Sequence, residues 1–239
     1  MSKKAILVSF SLLFIWGCTS SLRFTNTGYT THFDDSVISL MPLTKDALIV
    51  LDKNLIYSAY KKGDRSKEEM ILDTLYKYIN NVLLDSIKKV PVVSINSSAC
   101  NNWVQDDERF VTESKKVGAD SVQMFFRVPK KEVVNELSSQ TNIIIMINKI
   151  TFSKVKSGTK FTGNVATGNF TGFSPPIADA KVQYVIWDYS RNQIISCGEF
   201  STQGAFMAIN ERTLRTFFGY IGQELASATP FKIKKMSKF

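Results

Sequence analysis

Between Ser66 and Lys89 the apolar residues Ile71, Leu72, Leu75, Ile79, Val82, Leu83 and Ile87 recur at spacings of three and four. That period puts them on one side of an α-helix. Ser66, with Glu69 three positions on, has the pattern of a capping box, and Pro91 closes the segment. Glu211–Ala228 has the same period through Leu214, Phe217, Phe218, Ile221 and Leu225, with Asn210 as its cap. Asn142–Val155 differs. Its first half, Ile143–Ile147, is unbroken apolar sequence, as expected of a strand covered on both faces. It then alternates at Ile150, Phe152 and Val155, as a strand does when it leaves a closed core for a half-exposed position. Lys181–Asp188 sets Val182, Tyr184 and Ile186 against Val185 and Trp187. Tyr189–Asn192 supplies a turn and Gln193–Ser201 returns as a hairpin partner.

The weaker signals fill in the rest. Ser36–Leu43, Ala47–Leu51, Val90–Ile95 and Ser121–Phe126 read as short strands. Asp106–Val117 reads as a helix marked by Phe110, Val111 and Val117, with Gly118 as its C-cap. Pro129–Leu137 reads as a short helix or turn. Residues 157–176 form a glycine-rich polar loop inserted between two paired strands. Strands alternating with helices, plus one hairpin, give an α/β fold: one domain over residues 36–231, a mixed β-sheet packed against helices.

The N-terminus carries an address. Lys3 and Lys4 precede the apolar run Ala5–Trp16, which is too short to cross about 30 Å of hydrocarbon and fits the core of a signal peptide. Ile15-Trp16-Gly17-Cys18 resembles a bacterial lipobox. The resemblance implies removal of residues 1–17, acylation of Cys18, and anchorage in the lipid bilayer. Ser20, rather than aspartate, follows in second place, which favours the outer membrane. Residues 18–35 read as lipidated cysteine and tether, and residues 232–239 as a basic tail with Lys232, Lys234, Lys235 and Lys238.

Composition narrows the chemistry. The 239 residues include 30 Lys and Arg against 21 Asp and Glu, a formal charge of +9, with one histidine and three cysteines. A disulfide scaffold and a zinc finger are excluded. No glycine-rich phosphate loop or dinucleotide fingerprint is present. His32 is the only histidine, which leaves no metal-ligand cluster and a poor base for a serine or cysteine nucleophile. No cofactor is expected. Asp106, Asp107 and Glu108 read as the acidic start of a helix. Cys100 and Cys197 are the two thiols left for an oxidising compartment, as a disulfide pair or as two buried thiols. Phe161, Phe170 and Phe173 stand among glycines and threonines, as partner-binding aromatics or as a cover for the sheet edge. The basic excess suits an anionic glycan, anionic lipid or acidic envelope protein. It forms no basic helix, so nucleic acid is not expected.

The order of these strings, V-I-S-L-M-P-L, V-P-V-V-S-I, V-G-A-D-S-V, I-I-I-M-I-N-K-I and A-K-V-Q-Y-V-I-W-D-Y, resembles envelope lipoproteins built on the fold of the TolB N-terminal domain. That group includes curli-secretion and penicillin-binding-protein-activator lipoproteins. The resemblance implies a lipid-anchored, non-enzymatic assembly or adaptor role at the outer membrane. An oligomeric secretion component, with homo-oligomers, is the alternative, and an envelope glycan hydrolase is the third reading.

Overall fold

The computed structural model describes residues 21–29, 36–52, 56–57, 60, 66–87, 90–95, 107–130, 132–133, 141–156, 163–164, 169–170, 177–205 and 211–231. In chain order the elements are β1 (Ser21–Thr25), β2 (Ile38–Leu40), β3 (Leu48–Val50), α1 (Lys67–Ser86), β4 (Val92–Ser94), β5 (Phe110–Val117), β6 (Val122–Pro129) and β7 (Ile143–Lys156). They continue with β8 (Gly163–Asn164), β9 (Asn169–Phe170), β10 (Ile177–Asp188), β11 (Gln193–Ala205) and α2 (Glu211–Ala228). A seven-stranded sheet has the order β1-β11-β10-β7-β2-β4, and β3 also pairs with β7. β2 and β3 lie parallel to β7 at successive positions along it, while β10, β11 and β1 follow antiparallel. The expected mixed sheet packed with helices is the observed architecture.

One face of the sheet is closed by α1 and α2. Ser66 accepts from the Glu69 N–H and Glu69 accepts from the Ser66 N–H, so the capping box forms as the sequence indicates. Ile71, Leu75, Ile79 and Leu83 of α1 and Leu214, Phe218, Ile221 and Leu225 of α2 are fully buried against Ile145, Ile150, Phe152, Val182, Tyr184 and Phe200. Phe152 meets Phe217 and Phe218 at centroid distances of 6.0 Å. Gly222 lets the helices approach closely: a Cβ there would stand 2.8 Å from Val82 Cβ.

Two segments depart from the sequence expectation. Asp106–Val117 is not a helix. A 3-10 turn at Asp107–Arg109 leads into β5, which pairs with β6 as a separate two-stranded hairpin. Gly118 has φ +73°, but the left-handed residue lies in the hairpin turn rather than at a helix end. Ser21–Thr25, expected within a tether, is the edge strand of the main sheet. The second helix, the β10–β11 hairpin and the insertion of residues 157–176 between paired β7 and β10 are as expected.

Candidate functional site: the open half of the sheet and its edge strand

The second face of the sheet is divided across the same three strands. Cross-strand rows Ile144–Trp187–Ile194 and Met146–Val185–Cys197 are apolar. They pack beneath the β5–β6 hairpin through Phe110, Val117, Phe126 and Val128. The next three rows are polar: Lys149–Gln183–Glu199, Thr151–Lys181–Ser201 and Ser153–Asp179–Gln203. All nine side chains are exposed or half-buried.

The boundary has a structural cause. The β7–β10 register shifts between Gln183 and Tyr184, which leaves Asn148 as the extra residue of a β-bulge. A bulge re-aims a side chain, and here it serves the hairpin. Asn148 Oδ1 accepts from the Arg127 N–H, and Asn148 Nδ2 donates to the Arg127 carbonyl at 3.1 Å. Gln183 Nε2 donates to the Phe125 carbonyl at 3.1 Å. Two sheet side chains thus complete the outer edge of β6. The Phe125 ring beside this seam is 62% exposed.

On the open half, Lys181 Nζ lies 2.7 Å from Glu199 Oε1. Burial raises the Asp179 carboxyl above the ordinary aspartate range, against the opposing effects of a hydrogen bond with Gln203 and the Lys181 charge. Asp179 Oδ1 is buried without a hydrogen-bond partner.

β1 borders this surface and is held by several distinct contacts. Leu22 and Phe24 pack on the second-face cluster, and Lys115 Nζ lies 4.3 Å from the Phe24 ring centroid. Ser196 Oγ donates to the Phe24 carbonyl at 3.0 Å, and the Asn26 N–H to the Ile195 carbonyl at 2.9 Å. Arg23 pairs with Glu224 of α2 at 3.7 Å. Tyr29 Oη donates to buried Asp188 at 2.8 Å. Gly198 makes the approach possible: it has φ +151°, and a Cβ there would stand 2.0 Å from the Leu22 carbonyl oxygen.

Of the site residues expected from sequence, Cys197 is a free, buried thiol on the covered half. Burial pushes its pKa up to about 12, with Lys115 opposing, so it is a poor nucleophile at neutral pH. Phe170 lies in a two-residue ribbon, its backbone opposite Gly163. Cys18, Cys100, Phe161 and Phe173 lie outside the described residues, as do His32, Asp106 and the tail lysines. No group of His, Cys, Asp and Glu among the described residues is placed to hold a metal ion. Among them, too, no helix is long and apolar enough to cross a membrane. Sequence reasoning missed β1, although Leu22 and Phe24 alternate with Ser21, Arg23 and Thr25. It also missed the Asn148–Gln183 seam, which has no local signal.

No protein-family model matches the chain, and no curated protein matches it in sequence. Among solved structures it is similar to the PelC dodecamer from Paraburkholderia phytofirmans, with a TM-score of 0.39, 8% identity, and coverage of 91% of this chain and 99% of that one. The hypothetical protein CT253 from Chlamydia trachomatis is similar at a TM-score of 0.38 and 11% identity, over 81% of this chain and 92% of the other. A neuraminyllactose-binding hemagglutinin homolog from Helicobacter pylori is similar at 0.37 and 9% identity, over 81% and 82%. These are distant likenesses in outline, and nothing about ligand or assembly is carried from them to this chain.

Proposed function

We propose that the chain is a lipid-anchored, non-enzymatic binding or assembly protein of the bacterial envelope, held in the outer membrane through acylated Cys18. The observation that carries this reading is the position of β1. The lipobox-like cysteine stands three residues before a strand hydrogen-bonded into the main sheet. Anchor and fold are therefore joined almost directly, as suits a body that works at the membrane surface. The open polar half of the sheet is the broad surface such a body offers. Residues 157–176, with Phe161, Phe170 and Phe173, leave and rejoin the sheet at the same end of β7 and β10. An envelope protein is the partner this combination of polar face and aromatic loop suits.

Two variants test the reading. Cys18→Ser removes the thiol that carries the lipid, so the protein should leave the membrane fraction and its intact mass should lack acyl chains. A wild-type protein whose mature mass shows no acyl chains contradicts the anchor. The triple alanine variant at Phe161, Phe170 and Phe173 should keep the wild-type melting temperature and lose partners captured from solubilised membranes. A stable variant that recovers every wild-type partner removes the loop from the binding surface.

A further inference from the structure

The tip of the β5–β6 hairpin stands beside the anchor, an inference that rests on the acylation of Cys18. An extended chain advances at most about 3.3–3.6 Å per residue, so Leu22 lies within about 14 Å of Cys18 whatever path joins them. Leu22 is also where the hairpin turn meets β1: a Cβ on Gly118 would stand 2.8 Å from Leu22 Cδ2. The turn is tight. Gly118 and Ser121 both have positive φ, and the Ser121 N–H donates to the Gly118 carbonyl at 3.3 Å. Phe125 is held at the same level of the sheet. Leu22 pairs with Glu199, and Glu199 with Gln183, whose Nε2 donates to the Phe125 carbonyl. Gly118 and Phe125 thus lie over the two ends of one cross-strand row, about 10 Å long at the usual strand spacing.

This tip carries apolar surface that the fold leaves uncovered. Val122, opposite buried Val117, is exposed, and the Phe125 ring, opposite Ser114, is 62% exposed. Leu51 is as bare but follows β3, beyond β7 and on the far side of the sheet from β1. Val111 lies at the other end of the hairpin and Leu84 on α1. The one rival beside the anchor is on the helix side. Tyr220 of α2 is 38% exposed, one turn from the Glu224 that pairs with Arg23. It is a ring with a hydroxyl, and Thr216, Gln223 and Glu224 surround it on the helix. Phe125 has no polar atom to keep in water and has Val122 three residues away on the same strand. Charge makes no choice here, because from Glu113 to Phe125 two lysines, Lys115 and Lys116, balance Glu113 and Asp120. Apolar side chains on a tight turn of balanced charge suit the boundary between headgroups and acyl chains.

We infer that the tip of the β5–β6 hairpin, Gly118–Phe125, rests on the lipid surface that holds Cys18, with Val122 and Phe125 as its apolar contacts. The test uses the mature, acylated protein in vesicles of neutral phosphatidylcholine that carries bromine on its acyl chains, which quenches tryptophan fluorescence at short range. The wild-type protein, with Trp103 and Trp187, gives the background. Relative to vesicles without bromine, the added fluorescence of Phe125→Trp should be quenched several-fold more strongly than that of Tyr220→Trp. Val122→Trp gives the same reading if Phe125→Trp does not fold. An intact mass without acyl chains defeats the anchor reading itself. An acylated Phe125→Trp protein quenched no more than the background overturns the contact alone, and leaves the ring to a protein partner. Quenching of Tyr220→Trp equal to or above that of Phe125→Trp also overturns it, because α2 then lies at least as close to the lipid.

Discussion

β7, β10 and β11 carry two different surfaces on one face. Near the Asp188 turn, Trp187, Val185 and Met146 are buried beneath a hairpin, whereas further along the same sheet Lys181 is exposed and Thr151 and Ser201 are half-buried. The same strands pair through both halves, with a register shift of β7 against β10 at the boundary, and the helices pack on the opposite face. The difference is made by side-chain type and by one bulge. It shows that the hairpin is a cover fitted to two apolar rows, and that the polar rows are a finished surface. The same alternation that buries Val182 and Tyr184 against the helices presents Lys181 and Gln183 outward.

The largest effect expected from breaking this contrast is in the covered half. Trp187→Ala should destabilise the fold by about 3–5 kcal/mol, through lost transfer energy and a residual cavity. Chemical denaturation measures it, and a midpoint close to wild type would mean that the hairpin does not seal this half. Next comes the seam. Asn148→Ala leaves the Arg127 N–H and carbonyl without their partner, which should cost about 1–3 kcal/mol. Amide exchange should quicken in β6 before it quickens in β10. On the open half, Thr151 has no covering element among the described residues, and Thr151→Ala should shift stability by no more than about 0.5 kcal/mol. A large loss there would mean that the polar rows are buried after all.

The smallest effect is a pH dependence at Asp179. Its folded pKa is raised, so the folded state holds the proton more tightly than the unfolded chain does. Stability should therefore fall as pH rises from the ordinary aspartate range through the raised value. Asp179→Asn should flatten that part of the profile, as thermal melts across pH would show. An unchanged profile would show that burial does not penalise this carboxylate.

Where an element's signal is carried by its own buried side chains, the sequence made it legible. α1 and α2 each bury a full stripe, and β7 shows its passage from closed core to half-open sheet in the change after Ile147. β5 was misread because only its two ends, Phe110 and Val117, are buried. Between them the inward positions hold half-buried Glu113 and Lys115, the latter over the Phe24 ring, so no apolar period of two appears. Gly118 misled for a physical reason, since a hairpin turn and a helix end both require a left-handed residue. β1 failed differently. Its alternation is visible, but five residues among threonines and asparagines make no strand alone. The partner they need, β11, lies far along the chain and must carry Gly198 at the point of contact. The open half of the sheet was readable only as alternation, because its neighbours come from three strands joined by long-range pairing.

The proposed joining of anchor to sheet requires that β1 be part of the fold and not a tether. Hydrogen exchange of the Ser21–Thr25 amides, in the mature protein held in membranes, tests this directly. Strand amides bonded to β11 should exchange slowly and lose their protection in Gly198→Ala, where the added Cβ would meet the Leu22 carbonyl oxygen. Exchange as fast as in a free peptide, in the wild-type protein, would contradict the direct joining of anchor to sheet.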